Sequence, residues 1–231
     1  MTRPRVRVAL VPPAPGSLPP SACAVAVDVL RATTTLAYAR AHGVARIVPF
    51  ATPAGAIAHR DAHPGTLACG ERDGRIVPGF DLGNSPAEYG PERVRGASLA
   101  FASTNGSRAL LAASRCRRRL LGAFVNLRAT ADALANEDEV WVVCAGKLGR
   151  FALEDTACAG TLAAALESRG ARLEGAGARF ARTLACRDAV EVRGVVEGAD
   201  HGRWLRALGP GFAADVEVCA RLDALAEAAE A

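Results

Sequence analysis

Four times along this chain a short apolar run stops at a polar, turn-forming segment and a helical pattern begins. Residues 22–29 lead past Asp28, Arg31, Thr33, Thr34 and Thr35 into 36–41. Residues 98–102 lead through Ser103, Thr104, Asn105, Gly106 and Ser107 into 108–114. Residues 120–125 pass Asn126 into 129–135, and residues 140–144 pass 145–150 into 153–168. Apolar runs of this length without alternation suit strands buried on both faces. Strands alternating with helices specify an α/β fold, here a layered α/β/α arrangement around a largely parallel or mixed sheet. In such sheets the polar loops gather at the C-terminal edge of the strands, and ligands bind there. Residues 6–11 and 47–50 read as further strands and 53–59 as a helix. Residues 172–197 read as a strand and helix, and 215–229 as an amphipathic terminal helix. No linker interrupts the pattern, so residues 1–231 are expected to form a single domain; two lobes, if present, would meet near residue 117.

Charge and cysteine usage exclude several functions. The net charge of +4 is spread along the chain, and the one basic run, residues 115–119, follows an apolar helical stretch whose C-terminus it suits. A nucleic-acid partner is therefore not expected. Seven scattered cysteines contain no C-x-x-C pair, which points to reduced, mostly buried thiols. No span approaches a membrane helix, and the proline-broken start lacks a signal-type apolar stretch, so a cytoplasmic location and no membrane partner are expected. Neither G-x-x-x-x-G-K-[ST], G-x-G-x-x-G nor G-x-S-x-G occurs. The sequence leaves the oligomeric state open, a homodimer being one ordinary assembly for a soluble chain of this size.

Residues 70–89, GERDGRIVPGFDLGNSPAEY, crowd charges and turn formers together without helical or strand period. A long irregular connection of this kind is usually functional, and Ile76, Val77, Phe80, Leu82 and Tyr89 are spaced to anchor it to a core. Glu71, Asp73 and Asp81 offer oxygen ligands, Arg72 and Arg75 anion clamps, and Asn84 and Ser85 neutral hydrogen bonds. Three other segments join it. Asp28 closes a buried strand and can bind a metal or attack phosphorus, with Arg31 and the threonines holding an anion; the same residues also suit a helix cap paired with an arginine. The turn Thr104, Asn105, Gly106, Ser107 can cradle a phosphate, or simply cap a helix. Glu154 and Asp155 open a long helix, where acids also serve as dipole partners. Together they suit magnesium-assisted phosphoryl transfer, with Mg²⁺ held by a subset of Asp28, Glu71, Asp81, Glu154 and Asp155. Asp28, Arg31, Glu71 and Asp81 are the candidate catalytic residues; Arg72, Asn84, Thr104, Asn105, Gly106 and Ser107 are the candidate phosphate binders. His42, His59 and His63 read as exposed, and His201 as either an acid or a surface histidine.

The strings VDVLRATTT, GERDGRIVPGFDLGNSPAEY, STNGSRAL and CAGKLGRFALEDTACAG, with HGRWL and DVEVCARLD near the end, resemble the 2-phosphosulfolactate phosphatase family in order and over nearly the whole chain. The resemblance implies a magnesium-dependent phosphatase that acts on a small anionic phosphate ester, 2-phospho-3-sulfolactate. The products would be sulfolactate and phosphate, as in coenzyme M biosynthesis, on an α/β fold particular to that family. Asp73 and the pair Lys147-Leu148 depart from its pattern and leave room for a related phosphorylated hydroxy acid. A non-catalytic anion sensor that keeps the arginine and hydroxyl cradle is the competing expectation.

Overall fold

The computed structural model describes residues 3–231. The first half consists of β1 (Arg5–Ala9), β2 (Cys23–Val27), α1 (Ala32–Ala41), β3 (Arg46–Pro49), α2 (Pro53–Ala62), β4 (Thr66–Arg72), β5 (Arg75–Ile76), α3 (Pro91–Val94) and β6 (Ser98–Ala102). The second half consists of α4 (Gly106–Ala112), β7 (Arg118–Gly122), α5 (Leu127–Ala133), β8 (Glu139–Cys144), α6 (Leu153–Ser168), β9 (Arg172–Leu173), α7 (Gly175–Thr183), α8 (Ala189–Gly198), α9 (Asp200–Ala207), α10 (Pro210–Cys219) and β10 (Ala229–Glu230).

The strands form two sheets. The larger has the order β10-β7-β2-β8-β1-β9 and is parallel except for β10; the smaller has the order β3-β6-β4-β5 and is parallel except for β5. Every residue of β2 is buried, as its unbroken apolar sequence requires of a strand covered on both faces. Its Cys23, Val25 and Val27 join Val140, Val142, Leu162 and Leu166 under the helices of the second half. Its Ala24 and Ala26 point the other way, with Leu36, Leu110, Leu99 and Phe101, into a core shared with the smaller sheet. Small alanines on that face let α1 and α4 pack closely between the sheets. A third cluster, Ala68, Ala100, Ala102 and Phe80, lies under Ala56 of α2.

The α/β class and its layers follow the alternating pattern, but several expectations shift. Strands assigned to one sheet divide between two, because apolar periodicity reports burial without naming the neighbour. Arg118 and Arg119 of the basic run begin β7, and α4 ends at Ala112; Arg117 and Arg118 are neutralised by Glu137, and Arg118 also by Glu230. The terminal helix ends at Cys219, and the chain closes on the edge strand β10 rather than continuing helical to 229. All seven cysteines are free, and six are buried. No helix among the described residues is long and apolar enough to cross a membrane.

Candidate active site

The segment expected to be an irregular loop contains a hairpin. β4 and β5 pair antiparallel through Arg72 and Arg75, and the intervening Asp73 and Gly74 have φ of 51° and 77°. An Asp-Gly pair with both residues left-handed is the preferred two-residue hairpin turn, and this dipeptide was the available signal. Gly83, Leu82 and Tyr89 then fix the return. Tyr89 is fully buried and its hydroxyl donates to the Gly83 carbonyl at 2.7 Å, while Glu88 accepts from Gly83 N at 2.7 Å. Phe80, Leu82 and Tyr89 anchor the segment as expected; Ile76, 49% exposed, does not.

The hairpin tip and the ends of β2, β6 and β8 meet around a cavity of about 330 Å³. Its walls include Asp28, Arg31, Glu71, Asn84, Thr104 and Asn105, joined by Lys147 and His201. Asp28 is 5% exposed and directly follows β2. Its backbone N–H donates to Thr33 Oγ1 at 2.8 Å and its carbonyl accepts from Thr33 N at 2.9 Å, so the threonines brace the aspartate from inside α1. Glu71, at the end of β4, accepts from Thr104 N at 2.7 Å and from Gly74 N at 2.8 Å. It thereby ties the hairpin to the turn after β6. Gly106 opens α4, and a Cβ there would lie 2.4 Å from Ala32 Cβ and 2.7 Å from Asp28 Oδ2. Only glycine lets α4 close onto the aspartate. Ser103 and Ser107 exchange backbone-to-hydroxyl bonds at 2.8 and 3.0 Å, and Asn105 accepts from Leu148 N at 2.8 Å.

Glu154 and Asp155 are each 2% exposed, so they are far from solvent-facing dipole partners. Asp155 accepts from Val29 N at 2.8 Å and from Gly146 N at 3.0 Å, clamping the loops after β2 and β8 to one carboxylate. Glu154 lies 3.2 Å from His201 Nδ1. Burial, then the charge of Glu71, push Asp28 up to about 7 against the N–H of Ala32 and the Arg31 guanidinium. Burial and then the charges of Asp28 and Glu154 hold Asp155 well above the usual carboxylate range. These carboxylates repel one another in a place with little water.

Arg31 is buried but not open to a ligand. Its guanidinium is 2.5 Å from Asp215 Oδ2 and 2.6 Å from the Gly74 carbonyl, and it lies over the Phe212 ring. Asp215, which also accepts from Ser85 Oγ at 2.5 Å, was legible only as the start of a terminal helix. The structure does not bring Arg72 and Asp81 into the cavity. Arg72 donates to the carbonyls of Glu71 and Ala51, and Asp81 accepts from Ala68 N at 2.8 Å and pairs with Arg60 at 3.4 Å. Ser107 is committed to its helix start. His201 lines the cavity, the acid alternative of its two readings gaining the better position, with Trp204 of the same helix beside it. Asn84 Oδ1 is buried without a hydrogen-bond partner.

Among the described residues no group of three or more His, Cys, Asp or Glu side chains is already arranged around a metal position. The donor set nevertheless fits magnesium. It consists of hard carboxylate oxygens with an excess of buried negative charge, and Mg²⁺ takes one or two carboxylates and completes its shell with water and substrate oxygens.

Fold and site together define a layered α/β protein whose acidic cavity sits at the C-terminal ends of strands from two sheets. A profile of 2-phosphosulpholactate phosphatases matches residues 12–228. A probable 2-phosphosulfolactate phosphatase of Synechococcus sp. (strain JA-3-3Ab) is 41% identical over 218 residues, covering 91% of this chain and 90% of that protein. Proteins of the same description from Thermotoga petrophila and Deinococcus radiodurans are 36% and 38% identical over 87% and 86% of this chain, and over 85% and 83% of their own lengths. The chain belongs to the 2-phosphosulfolactate phosphatase family, whose name describes a phosphoric monoester hydrolase.

Proposed function

We propose that this chain hydrolyses 2-phospho-3-sulfolactate, or a closely related phosphorylated hydroxy acid, to the hydroxy acid and inorganic phosphate, the reaction type of coenzyme M biosynthesis. The observation that carries this reading is the meeting of Asp28 and Glu71 at one cavity beside the Thr104–Asn105 turn, with His201 in the same wall, Glu154 buried against His201 and Asp155 buried on the loops after β2 and β8. Asp28 and Glu71 would hold Mg²⁺, with Glu154 next to them, and the bound cation would neutralise the phosphoryl oxygens as charge builds on them. Asp155 does not line the cavity; its two oxygens accept from Val29 N and Gly146 N, and it serves to position the loops.

Hydrolysis needs a water attacking phosphorus, a proton acceptor for that water and a proton for the ester oxygen that leaves. Asp28 is assigned the proton of that water; its rise to about 7 describes the metal-free site, and a bound cation would lower it. His201, oriented by Glu154, is the imidazole of the cavity and is assigned the donation to the leaving oxygen. The backbone N–H of Asn105 and the amide nitrogen of Asn84 offer neutral hydrogen bonds to the phosphoryl group, and Arg31 supplies positive potential while remaining on Asp215. The test is phosphate release from phosphosulfolactate, phospholactate and unrelated phosphate monoesters, with and without Mg²⁺. Mg²⁺-dependent turnover of the hydroxy-acid esters supports the reading. Tight binding of sulfolactate with turnover of no ester would replace it with an anion-binding role. A phosphoryl group trapped on Asp28 and seen by mass spectrometry would replace water attack with attack by the aspartate.

A further inference from the structure

Two side chains lining the cavity carry a permanent basic charge, Arg31 and Lys147. Arg31 is committed to Asp215, the Gly74 carbonyl and the face of Phe212. Lys147, the only lysine in the chain, rests with Nζ 4.0 Å from the centroid of the Trp204 ring; its backbone bonds Arg150, and no ion pair or hydrogen bond among the described residues engages its ammonium group. An indole face holds an ammonium in place without neutralising it. Around it the cavity is acidic, and Glu154, Asp200 and Glu71 are the charges whose fields reach Lys147, opposing the lowering of its pKa by burial. Those that act on Asp28 are Glu71, Glu154 and Arg31. Glu71 and Glu154 act on both, and Asp28 and Lys147 line the same cavity, so a molecule bound there meets both groups. Lys147 also borders an adjoining depression of about 490 Å³ where Leu148, Phe151 and Leu153 are joined by Arg150, Glu154 and Asp200, so it stands between the cavity and a wall of mixed apolar and charged groups.

Resting on the phosphatase reading, we propose that Lys147 determines specificity by binding the acid group of the substrate that is not hydrolysed. Within the proposed substrate class, the carboxylate or sulfonate on the carbon skeleton is then the group for which Lys147 selects. A cation poised beside Trp204 pairs with such a group, and an ester whose remaining substituents are hydroxyls leaves it without a partner.

The test compares Lys147→Met and Lys147→Arg with the wild type on phospholactate, which carries a second acid, and on glycerol 2-phosphate, which does not. Removing one charge-assisted contact should lower the preference for phospholactate, as a ratio of kcat/KM values, by roughly tenfold to a hundredfold in Lys147→Met. The loss should sit mainly in KM, and Lys147→Arg should restore most of it. Equal losses on both esters, or an unchanged ratio, would overturn the proposal. A second measurement separates this from the phosphatase reading. Reductive ¹³C-methylation marks Nζ of Lys147 as the single lysine resonance. Should the wild type hydrolyse neither ester nor phosphosulfolactate, the phosphatase reading fails, while a shift of that resonance on adding sulfolactate, absent on adding glycerol, still supports Lys147. A resonance that stays in place at millimolar sulfolactate overturns it.

Discussion

Asp28→Asn tests the electrostatic description of the site through stability, with activity as a separate readout. The amide keeps the shape of the carboxyl group and still accepts from the N–H of Ala32, 3.4 Å away in the wild type. It removes a charge that burial and Glu71 make costly. The group titrates at about 7 in the fold against 3.8 in the unfolded chain. Because the folded state holds the proton longer, the stability linked to this group is complete below about pH 4 and is lost as pH rises through about 7. Between about pH 5.5 and 8.0 the metal-free wild type should therefore lose on the order of 2 kcal/mol that Asp28→Asn keeps. For a chain of this size that widens the gap in melting temperature by roughly 4–8 °C. Asp155 adds in the same direction, since losing the charge of Asp28 relieves one cause of its own shift. The assay is thermal unfolding of both proteins in EDTA at the two pH values, repeated with Mg²⁺, which should raise the wild type more than the variant at pH 8.0. Parallel pH slopes for the two proteins in EDTA would refute the reasoning. Phosphate release by the variant should be lost throughout, as is expected of a group that holds the metal or receives the proton.

Other outcomes follow from single contacts. Arg31→Met leaves Asp215, 4% exposed, with Ser85 as its remaining side-chain partner and should cost on the order of 3–5 kcal/mol in urea unfolding; adding Asp215→Leu should recover most of that, and no recovery would mean the guanidinium is needed for other reasons. Gly106→Ala drives a methyl group to within 2.4 Å of Ala32 Cβ and 2.7 Å of Asp28 Oδ2, which should destabilise by about 1–3 kcal/mol and displace the carboxylate, so kcat should fall by more than thermal unfolding alone accounts for. Asp81→Asn separates the sequence-based expectation from the geometry: with Asp81 bound to Ala68 N and Arg60 outside the cavity, the Mg²⁺ dependence of phosphate release should persist, and its loss would return Asp81 to the metal set.

Much of the fold was legible because burial writes itself into local sequence. β2, β6 and β8 read as apolar runs, and α6 emerged with its observed bounds, Leu153–Ser168, from its alanine-rich composition. What local sequence could not supply was long-range partnership. Asp28 and the Thr104 turn were visible as strand-end chemistry and Glu71 as part of a charged loop, the strand that carries it, β4, having gone unread; the parallel-sheet rule brought the first two together. Asp81 and Arg72 sat in the same charged string as Glu71 and were assigned with it, yet a strand alternates its faces and a bulky hairpin intervenes, so neighbours in sequence were separated in space. Asp215 and Trp204 enter from helices far along the chain, where nothing in their own surroundings marks them as facing a cavity.

The charge distribution explains why these late helices matter. Four buried carboxylates at one sheet edge would be intolerable if all were ionised and unaided, and an anionic ester entering among them would meet repulsion. The last third of the chain answers in two ways. Asp215 of α10 pairs with Arg31, which keeps a guanidinium buried beside Asp28 without leaving it uncompensated. Trp204 of α9 holds Lys147 by its ring face, so that cation keeps its charge for something other than the protein. The remaining negative excess is centred on Asp28 and Glu71, where a divalent cation would be most stabilised and where phosphate oxygens would complete its shell. Stability and the charge that the proposed function asks of Asp28 thus oppose each other, and a bound divalent cation would reconcile them.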